Sequence, residues 1–148
     1  MLVIGKIHHI GEGCACPMGV LSRKFLASLE TRDKEIVLVD AEAGVEHFGR
    51  GIVGECDLIL GVIDPTAESF QLARKMKQMA ETGKKTIFFI LNKVEPDIET
   101  FMKNQLDAAA IAGIVPKDHS IFMQSLEGKP LTKEVPEIDA ICRRILES

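Results

Sequence analysis

Cys14 and Cys16 are separated by a single alanine and followed at once by Pro17. Proline favours the first turn of a helix, so this order puts both sulfurs at a predicted helix N-terminus. The positive end of a helix dipole lowers a thiol pKa and favours the thiolate, which suits Zn²⁺, Ni²⁺ or Cu⁺. One such pair is half of a closed tetrahedral shell. A two-fold homodimer would bring a second pair to the same axis and complete it. The spacing leaves other readings open. The pair could close a redox disulfide, though a one-residue spacer strains the ring. His8 or His9 could join within one chain, but strand alternation sends the two imidazoles to opposite faces. Two unliganded loop thiols are the plainest reading.

A second set of polar residues ends apolar runs. Val39 is followed by Asp40-Ala41-Glu42-Ala43-Gly44, Ile63 by Asp64-Pro65-Thr66, and Leu91 by Asn92-Lys93-Val94; Val115-Pro116-Lys117-Asp118 lies further on. In open α/β sheets, ligands bind beyond the carboxyl ends of the strands. An aspartate closing such a strand can hold the water shell of Mg²⁺. Asp40 and Asp64 read equally as helix caps or turn formers. The phosphate-binding pattern Gly-x-x-x-x-Gly-Lys-Ser/Thr does not occur. Gly11-Glu12-Gly13-Cys14-Ala15-Cys16 carries glycines ahead of a helix but no Lys-Ser/Thr, so it has no clamp for a γ-phosphate.

The elements that must position these residues follow from periodicity. Residues 2–7, 35–40, 57–64, 86–92 and 120–124 have strand character, and the middle three are nearly continuous in Val, Ile, Leu and Phe. Such runs belong to strands covered on both faces, as in parallel sheets. Met18, Leu21, Phe25 and Leu29 mark one helix. Leu72, Met76, Met79 and Ala80 mark a second, from near Thr66 to a C′ residue at Gly83. Ile98, Phe101, Met102, Leu106 and Ala109 mark a third that ends near Gly113. Ile138, Ile141, Cys142 and Ile145 mark a last one, with Pro136 just before its start. Strands alternating with helices predict α/β architecture: one domain over residues 1–148, doubly wound, with a mainly parallel sheet of about five strands and helices on both faces.

Composition narrows the function. A chain of 148 residues with 46% hydrophobic and 27% charged residues is expected to fold as an ordinary soluble domain. The net charge of -4 and the absence of Trp and Tyr argue against a nucleic-acid partner. The longest apolar runs, residues 58–63 and 87–91, fall far short of the ~20 residues that a membrane helix needs. Lys6, His8 and His9 interrupt the N-terminal apolar run, against a signal peptide. Four cysteines make no disulfide framework, and Cys56 and Cys142 read as small buried hydrophobes. A cytoplasmic location is expected.

Taken in order, Gly13-Cys14-Ala15-Cys16-Pro17, the run from Val39 to Gly51, Asp64-Pro65-Thr66, Asn92-Lys93-Val94 and Pro116-Lys117-Asp118 resemble one family. It is the CooC-type accessory ATPase of carbon monoxide dehydrogenase maturation, within the MinD-like P-loop group. The resemblance covers nearly the whole chain. It implies a truncated P-loop NTPase-like fold and a nucleotide-dependent dimer implicated in nickel delivery to carbon monoxide dehydrogenase. By that resemblance Cys14 and Cys16 are the pair that holds Ni or Zn at the dimer interface. Asp40 lies near Mg²⁺, while Glu42, Ala43 and Gly44 form the switch that senses the γ-phosphate. Asn92 reads adenine, and Pro116 and Asp118 flank the base. The family's P-loop strand has no counterpart in the sequence. Two roles are therefore open besides metal binding: the nucleotide-binding half of a split ATPase whose P-loop is on another chain, and a protein-interaction module without catalysis.

Overall fold

The computed structural model describes residues 16–41 and 53–147, and of residues 16–19 only the backbone. Helix α1 (Cys16–Ala27) comes first, followed by a 3-10 turn (Val53–Glu55). Strand β1 (Leu58–Ile63), helix α2 (Ala67–Thr82) and strand β2 (Thr86–Val94) follow. A short helix α3 (Glu99–Lys103) and a second 3-10 turn (Ala108–Ala110) lead into β3 (Ile111–Pro116). Helices α4 (His119–Leu126) and α5 (Pro136–Leu146) complete the order.

The three strands form one parallel sheet in the order β1-β2-β3. Gly61 stands opposite Phe89, and Phe89 opposite Ile111; one residue on, Val62 faces Ile90 and Ile90 faces Gly113. Because strand side chains alternate between faces, Gly61 and Gly113 open on opposite sides of the sheet. Gly61 lies under the Phe89 ring and the Met76 side chain of α2, and Gly113 lies under Ile141 of α5. Helices therefore flank the sheet on both sides, as the sequence predicts, although Leu60 and Val62 of β1 stay exposed. The core gathers Ile63, Phe89, Leu91, Val94 and Ile111 of the sheet with Phe70, Ala73 and Met102 of the helices. Phe89 is fully buried, which is worth about 2–3 kcal/mol of apolar transfer. An added Cβ at Gly61 would meet the Phe89 ring at 2.8 Å, so the ring's place depends on that glycine.

The helix ends follow local chemistry. Thr66 caps α2, its hydroxyl accepting from the Ser69 amide at 3.1 Å. Pro136 occupies the first turn of α5. At the other end of α2, the Lys85 amide donates to the Ala80 carbonyl (2.8 Å) and the Lys84 amide to the Glu81 carbonyl (3.1 Å). This is a Schellman closure. Its left-handed position is held by Lys84 (φ 52), while Gly83 stays right-handed (φ -80). The expected C′ glycine is thus displaced by one residue.

Four expectations about the elements are corrected. The described sheet has three strands and not five; residues 2–7 lie outside the described residues. Residues 120–124 are helical, because Asp118 accepts from the Ser120 and Ile121 amides and starts a turn in a short apolar run that periodicity alone leaves ambiguous. Residues 35–40 pair with nothing in the described sheet. They follow a turn in which Lys34 is left-handed (φ 69) and the Arg32 amide donates to Glu35 at 2.9 Å. The third predicted helix is five residues long, and the stretch read as its end is β3. Asp107 caps only one 3-10 turn there, after which Ile111, Gly113 and Ile114 pair with β2.

Candidate functional site

Polar residues converge at the carboxyl ends of β1 and β2. Asp64 directly follows β1, and both of its carboxylate oxygens are engaged. Oδ1 accepts from Asn92 Nδ2 at 2.8 Å and Oδ2 from Lys93 Nζ at 2.5 Å. In a regular strand, neighbours in sequence point to opposite faces. Here the register between Leu91 and Val94 is irregular and Lys93 is left-handed (φ 54), so Asn92 and Lys93 both reach one carboxylate. A lysine held in that region is strained by about 1–3 kcal/mol.

Beyond β2 and β3 lies a cavity of about 500 Å³. Val94, Glu95, Glu99, Pro116, Lys117 and His119 are among its walls. Lys117 pairs with Glu95 across it, and the Lys117 amide extends the sheet by donating to the Val94 carbonyl at 2.9 Å. The His119 ring stacks on Phe122 with centroids 6.2 Å apart. Asp64 and Asn92 are not among the walls of this cavity; they share the sheet end with it. Pro116 separates it from a smaller hollow of about 140 Å³ that reaches Asp118 and Lys133.

Asp118 is occupied as a helix cap. Its Oδ1 accepts from the Ser120 amide (2.7 Å) and hydroxyl (2.5 Å) and the Ile121 amide (3.2 Å), and its Oδ2 pairs with Lys133. The Lys133 ammonium first, then the Ser120 hydroxyl and the Ile121 and Ser120 amides, hold its carboxyl well below the usual carboxylate range.

The other residues singled out from sequence stand apart or lie elsewhere. Asp40 is exposed at the end of the unpaired run. Cys14, Glu42 and Gly44 lie outside the described residues, and Cys16 is described only as the first residue of α1. Among the described residues no group of three or more His, Cys, Asp or Glu is placed to hold a metal ion, and no helix is long and apolar enough to cross a membrane. Cys142, expected to be buried, is exposed, whereas Cys56 is partly buried. Burial pushes the Cys56 thiol up.

Sequence reasoning missed Lys93, Glu95 and Lys133. The signal for Lys93 was its place beside Asn92. Lys133 carries none, because it meets Asp118 only when the loop after α4 folds back.

No protein-family profile matches the chain. An uncharacterized ATP-binding protein of Methanocaldococcus jannaschii is 46% identical over 138 residues, 93% of this chain and 55% of that protein. The carbon monoxide dehydrogenase accessory protein CooC of Rhodospirillum rubrum is 39% identical over 123 residues, 82% of this chain and 47% of CooC. A more distant likeness is to a putative septum site-determining protein MinD of Guillardia theta, 25% identical over 119 residues, 75% of this chain and 44% of that one. The chain spans about half the length of these relatives. Its relatives are thus ATP-binding proteins with CooC among them, and the parallel α/β sheet is consistent with a P-loop NTPase-like fold.

Proposed function

We propose that this chain supplies the base side of an ATP site in a CooC-like accessory protein for metallocentre assembly. The observation that carries the reading is the Asn92 amide, held by Asp64 at the carboxyl end of β2, in a chain whose relatives are ATP-binding proteins. Asn92 would meet the base, with Pro116 and Asp118 flanking it. Asp40 would lie on the Mg²⁺ side, and Glu42 and Gly44 would respond to the γ-phosphate. These 148 residues hold no Gly-x-x-x-x-Gly-Lys-Ser/Thr pattern, so the loop that grips the phosphates would come from a polypeptide segment outside them. Hydrolysis by residues 1–148 alone is not expected.

The test is nucleotide binding. ATP binding by the purified chain should weaken about tenfold or more in Asn92→Ala, the loss of roughly one good base-edge contact, while the unfolding midpoint changes little. Equal binding by the variant rejects the assignment.

A second reading concerns the cysteines, and one observation favours it: α1 begins at Cys16, and the start of a helix is where its dipole supports a thiolate. Cys14 and Cys16 from two subunits would hold one Ni²⁺ or Zn²⁺, a cargo destined for an enzyme such as carbon monoxide dehydrogenase. Four thiolates complete one shell, so uptake of about one ion per dimer is expected. Metal retention by a Cys14→Ser, Cys16→Ser double variant equal to that of wild type would rule this out, as would a strictly monomeric metal-loaded protein.

A further inference from the structure

Resting on the base-side reading above, we propose that Asp64 is a positioning residue: it locks the orientation of the Asn92 amide and thereby selects a 6-aminopurine nucleotide over a 6-oxopurine one. An asparagine amide has a donor end and an acceptor end of nearly the same shape, and what it recognises depends on which way it is turned. Asp64 decides the turn. An ionised carboxylate only accepts hydrogen bonds, so the end that meets Asp64 Oδ1 at 2.8 Å must be Nδ2. Lys93 Nζ engages the other oxygen, Oδ2, at 2.5 Å. Turning the amide over would set Asn92 Oδ1 against a negative oxygen.

With Nδ2 committed, Asn92 Oδ1 is directed away from Asp64, and among the described residues nothing donates to it. Nδ2 carries two hydrogens. One serves Asp64, and the other is left for a neighbouring acceptor. An acceptor and a donor side by side are the complement of an adenine edge, where an exocyclic N6 amino group lies beside a ring nitrogen; asparagine pairs with adenine in this way. A 6-oxopurine would place its carbonyl against Oδ1, two acceptors facing each other.

The experiment compares ATP with ITP, which differ at the 6-position of the purine, on the full chain by calorimetric titration. Wild type should prefer ATP by about tenfold or more. In Asp64→Asn the facing group can donate as well as accept, so Asn92 is free to turn, and the ATP/ITP ratio should fall toward one. A preference kept in Asp64→Asn but lost in Asn92→Ala overturns the inference and leaves the base-side reading intact. Failure to bind either nucleotide, or a wild-type ratio of one, removes both. A second measurement needs no variant. In wild type, one side-chain amide proton of Asn92 should be shifted downfield in the NMR spectrum and slow to exchange, with and without ATP. An Asn92 amide that exchanges like a solvent-exposed one overturns the proposal whatever the behaviour of the Asp64→Asn protein.

Discussion

Ile141 of α5 rests directly on Gly113 of β3: a Cβ on that glycine would stand 2.3 Å from Ile141 Cγ1 and 2.9 Å from Cδ1. The approach is closer than any side chain allows, and it brings α5 onto the face of the sheet opposite α2. Gly113→Ala should therefore push α5 outward and destabilise the protein by about 1–3 kcal/mol, as overpacked cores do. Ile141→Ala removes the two clashing carbons at its own cost of about 2–4 kcal/mol. In that background the alanine at 113 should cost little, leaving a coupling of at least about 1 kcal/mol in urea unfolding. Additive losses would mean that the two residues do not bear on each other.

The sequence carried most of the helix–strand alternation, and the reasons for its failures are local. β1 and β2 were legible because runs such as Leu58 to Ile63 are short, apolar and bounded by polar residues, although one face of β1 is exposed at Leu60 and Val62. The helices α1, α2 and α5 were legible from their periodicity and from Pro17, Thr66 and Pro136. β3 was hidden because Ala108, Ala109 and Ala110 continue a helical pattern up to the glycine that α5 needs. The Ile121 and Phe122 stretch was misread because the cap that makes it helical belongs to Asp118, outside the apolar run. At the site, Asp64, Asn92 and Asp118 were visible as polar ends of apolar runs. Their partnerships with Lys93 and Lys133 arise from a strand irregularity and a folded-back loop, and neither has a period to read.

Lys84 occupies the left-handed residue of the α2 closure, a conformation that costs an L-residue about 1–2 kcal/mol and a glycine almost nothing. Lys84→Gly should raise stability by about 0.5–1 kcal/mol, once the greater freedom of glycine in the unfolded chain is subtracted. Chemical denaturation should place its midpoint above that of wild type with the slope unchanged. A destabilised Lys84→Gly would mean that the lysine side chain contributes more than its backbone costs.

Asp118 makes the loop after α4 sensitive to acid. Its folded pKa lies below its unfolded value, mainly through Lys133 and then through the groups of Ser120 and Ile121. A depressed carboxylate stabilises the fold above its unfolded pKa of about 4 and stops doing so as the pH falls through the folded value. Thermal melts of wild type and Asp118→Asn should therefore differ most above about pH 5 and converge as the pH falls below about 4. Asp107, lowered by Lys77 and then by the Ala109 amide, keeps its own acid limb in both proteins, so the difference between the two curves isolates Asp118. A constant gap across the acid range would assign the stabilisation to the neutral cap alone.

Ile36, Val37, Leu38 and Val39 form the most apolar exposed run of the described chain, with Leu38 at 84% and Ile36 at 69% exposure. Such a run reads as a covered strand, yet no strand among the described residues pairs with it. An exposed leucine contributes little, so Leu38→Ser should change the stability of the isolated chain by no more than about 0.5 kcal/mol. A buried leucine lost in the same way costs about 2–5 kcal/mol. Leu38→Ser thus distinguishes an exposed run from one covered by another part of the fold or by a second chain. Urea unfolding across a range of protein concentrations gives the answer: a small, concentration-independent effect is expected. A loss above about 2 kcal/mol would place residues 36–39 in a covered layer.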